Sequence, residues 1–126
     1  MTAAPSPRLR LNRAMRIKQS REFARVRQSG QRIVHGCLIV NWQTLPAGSP
    51  TRLGVVTSGK IGNAVVRSRA RRLLRESFRL HQQELTQPLD LILVARNSIV
   101  GRAFADVEKD FLTTVRRAGL LKQGPN

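Results

Sequence analysis

Between Ala64 and Leu80 the sequence sorts apolar and cationic residues onto opposite sides of a helix, which constrains everything that can be built around it. With Val66 set at zero and 100° per residue, Ala70, Leu73, Leu74, Ser77 and Leu80 fall within about 80° of it. Arg71, Arg72, Arg75 and Arg79 fall at about 140–240°, and Arg67 and Arg69 flank the apolar stripe. One side must therefore pack on a core while the other stays outside. A solvated helix face normally mixes signs, because like charges at i,i+4 destabilise it. Arg67, Arg71, Arg75 and Arg79 run at that spacing with only Glu76 nearby, so a polyanion is needed to offset them.

The charge of the whole chain agrees. It carries 23 Lys+Arg against 7 Asp+Glu, a net charge of +16, and a field of that size opposes compaction unless it is neutralised. Clustered cations in a basic domain point to nucleic acid. Nineteen of those cations are arginine and four are lysine. Arginine's planar fork pairs phosphate bidentately and stacks on bases, which lysine does not do. Charge by itself favours neither RNA nor DNA.

The length, 126 residues, fits one domain. Residues 1–12 (Met1–Asn12) read as a disordered basic arm, 13–120 as the domain and 121–126 (Leu121–Asn126) as a flexible tail. Ser20 is placed to cap a first helix that carries Phe23 and Val26 inward and stops at Gly30. Ile33–Gln43 and Arg52–Ser58 read as strands joined across the Pro46–Pro50 loop, hence as an antiparallel hairpin. An extra short strand between Gln31 and Asn41 is compatible with the same pattern. Pro88 ends the arginine helix, and Leu89–Arg96 is apolar almost throughout, as a strand covered on both faces would be. Phe104, Val107, Phe111 and Val115 recur on one face of a last helix, Ala103–Ala118. The order predicts an α+β fold, a two-layer sandwich of one sheet with helices on one side.

Candidate catalytic groups are sparse. His35 and His81 have no acidic neighbour in sequence, and Asp106 and Asp110, at i,i+4, read as an ion-paired solvated face with Arg102 and Lys109. Cys37 is the single cysteine, so neither an internal disulfide nor a thiolate metal cluster can form; it reads as a small buried hydrophobe in a chain expected in the cytoplasm. No run approaches the roughly 20 apolar residues of a membrane span, and no secretory signal is evident. The segment Gly59-Lys60-Ile61-Gly62-Asn63 ahead of the arginine helix could cradle phosphate or be a plain turn, but it lacks the Lys-Ser/Thr ending of a nucleotide-hydrolysing loop. On this reading the chain holds no catalytic residue, metal or cofactor of its own.

The run Lys60–Glu76, KIGNAVVRSRARRLLRE, closely resembles the signature of the bacterial ribonuclease P protein family. Lys60, Gly62, Asn63, Ala64, Val65, Arg67, Arg69, Arg72, Arg75 and Glu76 match it. Ser68 stands where the family has asparagine, and Arg71 where lysine is common. Arg16–Gly30, with Phe23, Val26 and Gly30, resembles the family's opening element, and Asp90–Arg96 its D-x-x-x-x-A-R segment.

The resemblance implies an α/β sandwich with one mixed sheet and a left-handed βαβ crossover through the arginine helix. It also implies a protein that assists an endonuclease removing the 5′ leader of precursor tRNA, with catalysis and Mg²⁺ residing in an RNA subunit. Lys60, Asn63, Arg67, Ser68, Arg69, Arg71, Arg72, Arg75 and Arg79 are then expected to bind RNA. Phe23, Arg27 and Trp42 are expected to line a leader cleft between the first helix and the sheet, where an aromatic face would stack a base. The partners are ribonuclease P RNA and precursor tRNA, with no obligate protein partner and no membrane. Two other readings stay open on the residues alone: a ribosomal-type RNA chaperone, and a DNA-binding helix module. The strands flanking the arginine helix disfavour a helix-turn-helix reader.

Overall fold

The computed structural model describes Arg16, Ile17 and residues 20–122. The expected basic arm and residues 123–126 of the expected tail lie outside them. The elements are α1 (Ser20–Ser29), β1 (Gln31–His35), β2 (Leu38–Thr44), β3 (Arg52–Val56), α2 (Ala64–His81), β4 (Leu89–Ala95) and α3 (Phe104–Arg117), with 3-10 turns at Gln82–Glu84 and Asn97–Ile99.

The strands form one mixed sheet in the order β1-β2-β4-β3. β4 pairs antiparallel with β2 and parallel with β3, so α2 is the crossover between two adjacent parallel strands. The α+β fold with a single mixed sheet is as the sequence predicts. The predicted hairpin is not. Arg52–Val56 does not pair with the preceding strand, because β4 lies between them, and the hairpin is β1–β2 instead. Its turn is at Gly36, whose φ of +60° is the left-handed region that glycine adopts freely.

The apolar character of β4 explains its central place. Leu89, Leu91 and Leu93 on one face join Leu38, Val40 and Trp42 of β2, Leu73, Leu74 and Phe78 of α2, and Val107, Phe111 and Val115 of α3 in the main core. Ile92, from the other face, packs with Ile17 and Val26, with half-buried Phe23, Val56 and Val94 against them. The helices therefore do not share one side, as the sequence reading had them: α1 covers the opposite face from α2 and α3. An amphipathic helix records that it is buried, not against which face of a sheet.

The ends of the sheet are tied locally. Ile17 donates its amide to Leu53 O at 2.8 Å, setting Arg16 and Ile17 beside β3. Leu121, expected in the flexible tail, is buried and bridges to Leu85, and Lys122 N donates to Glu84 O at 2.7 Å. α1 begins at Ser20 itself.

Candidate nucleic-acid interface

The first turn of α2 is built by the segment that precedes it. Asn63 is the N-cap, and its carboxamide oxygen accepts the Val66 amide at 3.0 Å. That satisfies one orphan donor of the helix start. Gly62 has φ +157° and lies so close to Val66 that a β-carbon would come within 3.0 Å of its side chain. A side chain at this position would need Val66 to give way by a few tenths of an ångström. Lys60 stands exposed at its tip.

The arginines of α2 divide by what they touch. Arg67, half-buried, donates Nη1 to Gly62 O at 3.2 Å, bracing the turn. Arg71 donates to Thr57 Oγ1 at 2.8 Å and to Ser68 Oγ at 3.2 Å, which fixes it above the end of β3. Arg69 donates to Arg102 O at 2.8 Å. Arg79 makes a forked pair with Glu76, one arm of it 3.0 Å. Arg72 is exposed and has no ion-pair partner among the described residues. Ser68 is exposed too and serves Arg71.

Arg75 is the most telling of them. Burial lowers its pKa below the ordinary guanidinium value, and the neighbouring charges of Arg16 and Arg71 lower it further. Half-buried Arg75 thus feels two further cations, Arg16 beside β3 and Arg71 one turn earlier on α2, with no carboxylate contributing to the effect. A folded protein gains nothing from this crowding. A phosphate placed among Arg16, Arg71 and Arg75 would relieve it.

The opposite face of the sheet carries a cleft of about 160 Å³ lined by Arg27, Arg32, Ile39, Asn41 and Val94. Two of its walls are cationic, and Asn41, only 5% exposed, sets a carboxamide into its floor. Phe23 lies further along α1, half-buried over Gly54. A network anchors this helix: Arg52 donates Nε and Nη2 to the Asp90 carboxylate, each at 2.9 Å, and Nη1 to Glu22 on α1 at 2.6 Å. These contacts hold Arg52 well above its ordinary value, through Asp90 first and Glu22 second.

Trp42 does not belong to the cleft. Side chains alternate along β2, so Leu38, Val40 and Trp42 face α2 and α3 while Ile39 and Asn41 face α1. At 4% exposure Trp42 is part of the main core and has no free face to stack on a base. The residues that sequence reasoning missed are Arg32 and Asn41 in the cleft, and Arg16 in the cationic cluster. Alternation along β1 and β2 is the signal that would have found the first two.

The other candidates for chemistry are structural. Cys37 is fully buried, and burial with a hydrogen bond to Asp110 pushes its thiol up to about 12, far from a reactive thiolate. Asp110 accepts the Cys37 amide at 3.0 Å and so ties α3 to the β1–β2 turn, rather than lying on a solvated face. His81 bridges Glu84 and Glu108, the latter at 2.8 Å. Burial disfavours its charge, but the hydrogen bonds to Glu108 and Glu84 outweigh burial and raise its pKa. Among the described residues no group of three or more His, Cys, Asp or Glu is arranged to hold a metal ion, and no helix is long and apolar enough to cross a membrane.

Comparison with known proteins is consistent across three levels. The family model described as Ribonuclease P matches residues 11–119. A ribonuclease P protein component from Gluconacetobacter diazotrophicus is 38% identical over 112 residues, covering 86% of this chain and 95% of that one. One from Syntrophomonas wolfei is 34% identical over 116 residues, covering 92% and 97%. Among solved structures, the Staphylococcus aureus RNase P protein superposes with a TM-score of 0.79 at 25% identity, covering 87% of this chain and all of that one. The Thermotoga maritima RNase P protein shares the fold at a TM-score of 0.72 and 23% identity, covering 81% and 96%.

Proposed function

The chain belongs to the ribonuclease P protein family, and from that premise we propose that it binds the catalytic RNA of ribonuclease P and the 5′ leader of precursor tRNA, helping to remove that leader. The observation that carries this reading is the cluster of Arg16, Arg71 and Arg75, where one guanidinium is part-buried among like charges. Exposed Arg72 extends that cationic ground along α2.

The work divides between the two faces of the sheet. α2 grips the RNA subunit through Arg71, Arg72 and Arg75, with Arg69, Ser68 and Arg79 at the margins and Arg67, Asn63 and Lys60 shaping the turn. The cleft beside α1 takes the leader, its phosphates drawn to Arg27 and Arg32, its bases reaching Asn41 and the Phe23 ring. Mg²⁺ and bond cleavage belong to the RNA subunit, and the protein contributes positioning and charge neutralisation. Its place of work is the cytoplasm, where precursor tRNA is processed.

The test has two parts. Protein co-purified from cells should carry ribonuclease P RNA when the bound RNA is sequenced, and added to that RNA it should raise leader removal at low Mg²⁺. Recovery of ribosomal RNA instead, with no effect on leader removal, would make it an RNA chaperone of another kind.

A further inference from the structure

Beside the arginines of α2 lies a pocket that charge neutralisation does not use. It has a volume of about 230 Å³, and Val65, Val66, Ala70, Ile99 and Val100 line it with Arg69 at the rim. Val65 is 77% exposed and Val100 50% exposed, two of only three large hydrophobic side chains left open among the described residues. Val65 lies in the first turn of α2 and Val100 directly after the Asn97–Ile99 turn, places where a polar residue would serve solubility better. Apolar side chains set in a cationic rim mark a binding site more often than a defect.

We infer that this pocket receives a single unpaired nucleobase of the bound RNA, a reading that rests on the RNA-binding function proposed above. Three observations identify the occupant. None of the lining residues is acidic, so a polyanion can approach without repulsion. A shallower hollow of about 380 Å³, lined by Ala64, Val65, Ser68, Arg69 and Arg72, shares Val65 and Arg69 with this pocket and reaches the cationic face of α2 at Arg72. A nucleotide with its phosphate at Arg72 therefore has its base directed toward the apolar floor. Finally, the hydrogen bond from Arg69 Nη2 to Arg102 O, 2.8 Å, holds the guanidinium beside the pocket, where its planar face can cover a heterocycle.

The floor has no side-chain hydrogen-bonding group to read a base edge. Recognition is therefore by stacking and burial, tolerant of base identity. A protein segment fits less well, because its backbone amides would find few partners on an apolar floor.

The experiment uses the full-length protein and in vitro transcribed ribonuclease P RNA from the same organism, titrated over a range of salt. Val65→Ser combined with Val100→Ser should fold normally, since both side chains are exposed. Its affinity should fall roughly ten-fold, with an unchanged slope of log affinity against log salt because no phosphate contact is lost. Arg69→Lys, which keeps the charge and loses the plane, should show the same pattern. Dimethyl sulfate probing should reveal an RNA base shielded by the wild-type protein and exposed again with the double variant. Wild-type affinity and an unaltered footprint for the double variant would overturn the pocket assignment while leaving RNA binding intact, and a protein occupant would give that same result. Loss of slope would overturn it too, by assigning the defect to phosphates. A wild-type protein with no salt-dependent affinity for this RNA would instead overturn the reading beneath it.

Discussion

The Phe23 ring fills the space that a side chain at Gly54 would need: a β-carbon there would lie 2.8 Å from ring atoms Cε1 and Cζ. This contact sets the height of α1 above the sheet, and with it the depth of the cleft beside Arg27 and Asn41. An aromatic ring cannot bend away as a long aliphatic chain would, so Gly54→Ala must lift α1 or turn Phe23 out. A destabilisation of about 1–3 kcal/mol is expected from overpacking, measured by urea unfolding. Precursor tRNA affinity should fall with it, while RNA subunit affinity holds. Unchanged stability would show that α1 is not fixed by this contact.

Arg52 should prove the main anchor of α1. Arg52→Met keeps the stem but leaves Asp90, 3% exposed, with a carboxylate and no cation. The loss should be about 3 kcal/mol, the low end for a buried pair because the Arg52 side chain is itself 26% exposed. Adding Asp90→Asn should recover part of it by removing the stranded charge. Chemical denaturation of the two variants would decide, and equal stability of Arg52→Met and wild type would make the network ornamental.

His81 predicts a dependence on pH. Its folded pKa is raised by Glu108 and Glu84, above the value it has unfolded. A group shifted in this direction contributes its full stability below the unfolded pKa and loses it as pH rises through the folded one. Melting temperature should therefore decline as pH rises above the ordinary histidine value of about 6.5. His81→Gln should flatten that decline. A variant with the wild-type slope would place the titration elsewhere.

The arginines of α2 should contribute unequally to RNA binding. Arg72→Ala with Arg75→Ala should reduce the slope of log affinity against log salt by about 1.5, since each lost phosphate contact accounts for roughly 0.7–0.9. Arg79→Ala should do less, because Glu76 already neutralises Arg79. Glu76→Gln should steepen the slope by freeing it. Salt titrations against the RNA subunit would show this, and an equal effect of all three arginines would mean the Glu76 pair opens on binding.

α2 and β4 were legible in the sequence because each carries its own pattern, a 3.6-residue period for the arginine helix and a nearly continuous apolar run for the central strand. The pairing of β2 was not, since the turn at Gly36 sits inside a run that reads as one strand. Trp42 was misplaced for a related reason: which face a strand residue joins follows from alternation only once the strand's neighbours are known. The anchoring of α1 was out of reach as well. Arg52 lies 38 residues from Asp90 and 30 from Glu22, and no local pattern pairs them. The α2 cations were visible, but their tasks were not. Arg67 and Asn63 serve the turn, and Arg16 joins the group only through the fold.

The bridge that sets Arg16 and Ile17 beside Leu53 has a bearing on how the protein behaves on its own. An open sheet edge is a template on which another chain can add. At β3 that template is interrupted mid-strand, because the Leu53 carbonyl is already bonded to Ile17. At the other edge, two copies meeting along β1 would bring exposed Arg32 of each molecule into one ladder, in chains that each carry +16. Neither edge invites polymerisation: a backbone bond occupies one and like charge guards the other, so the free protein is protected against fibre formation on both sides.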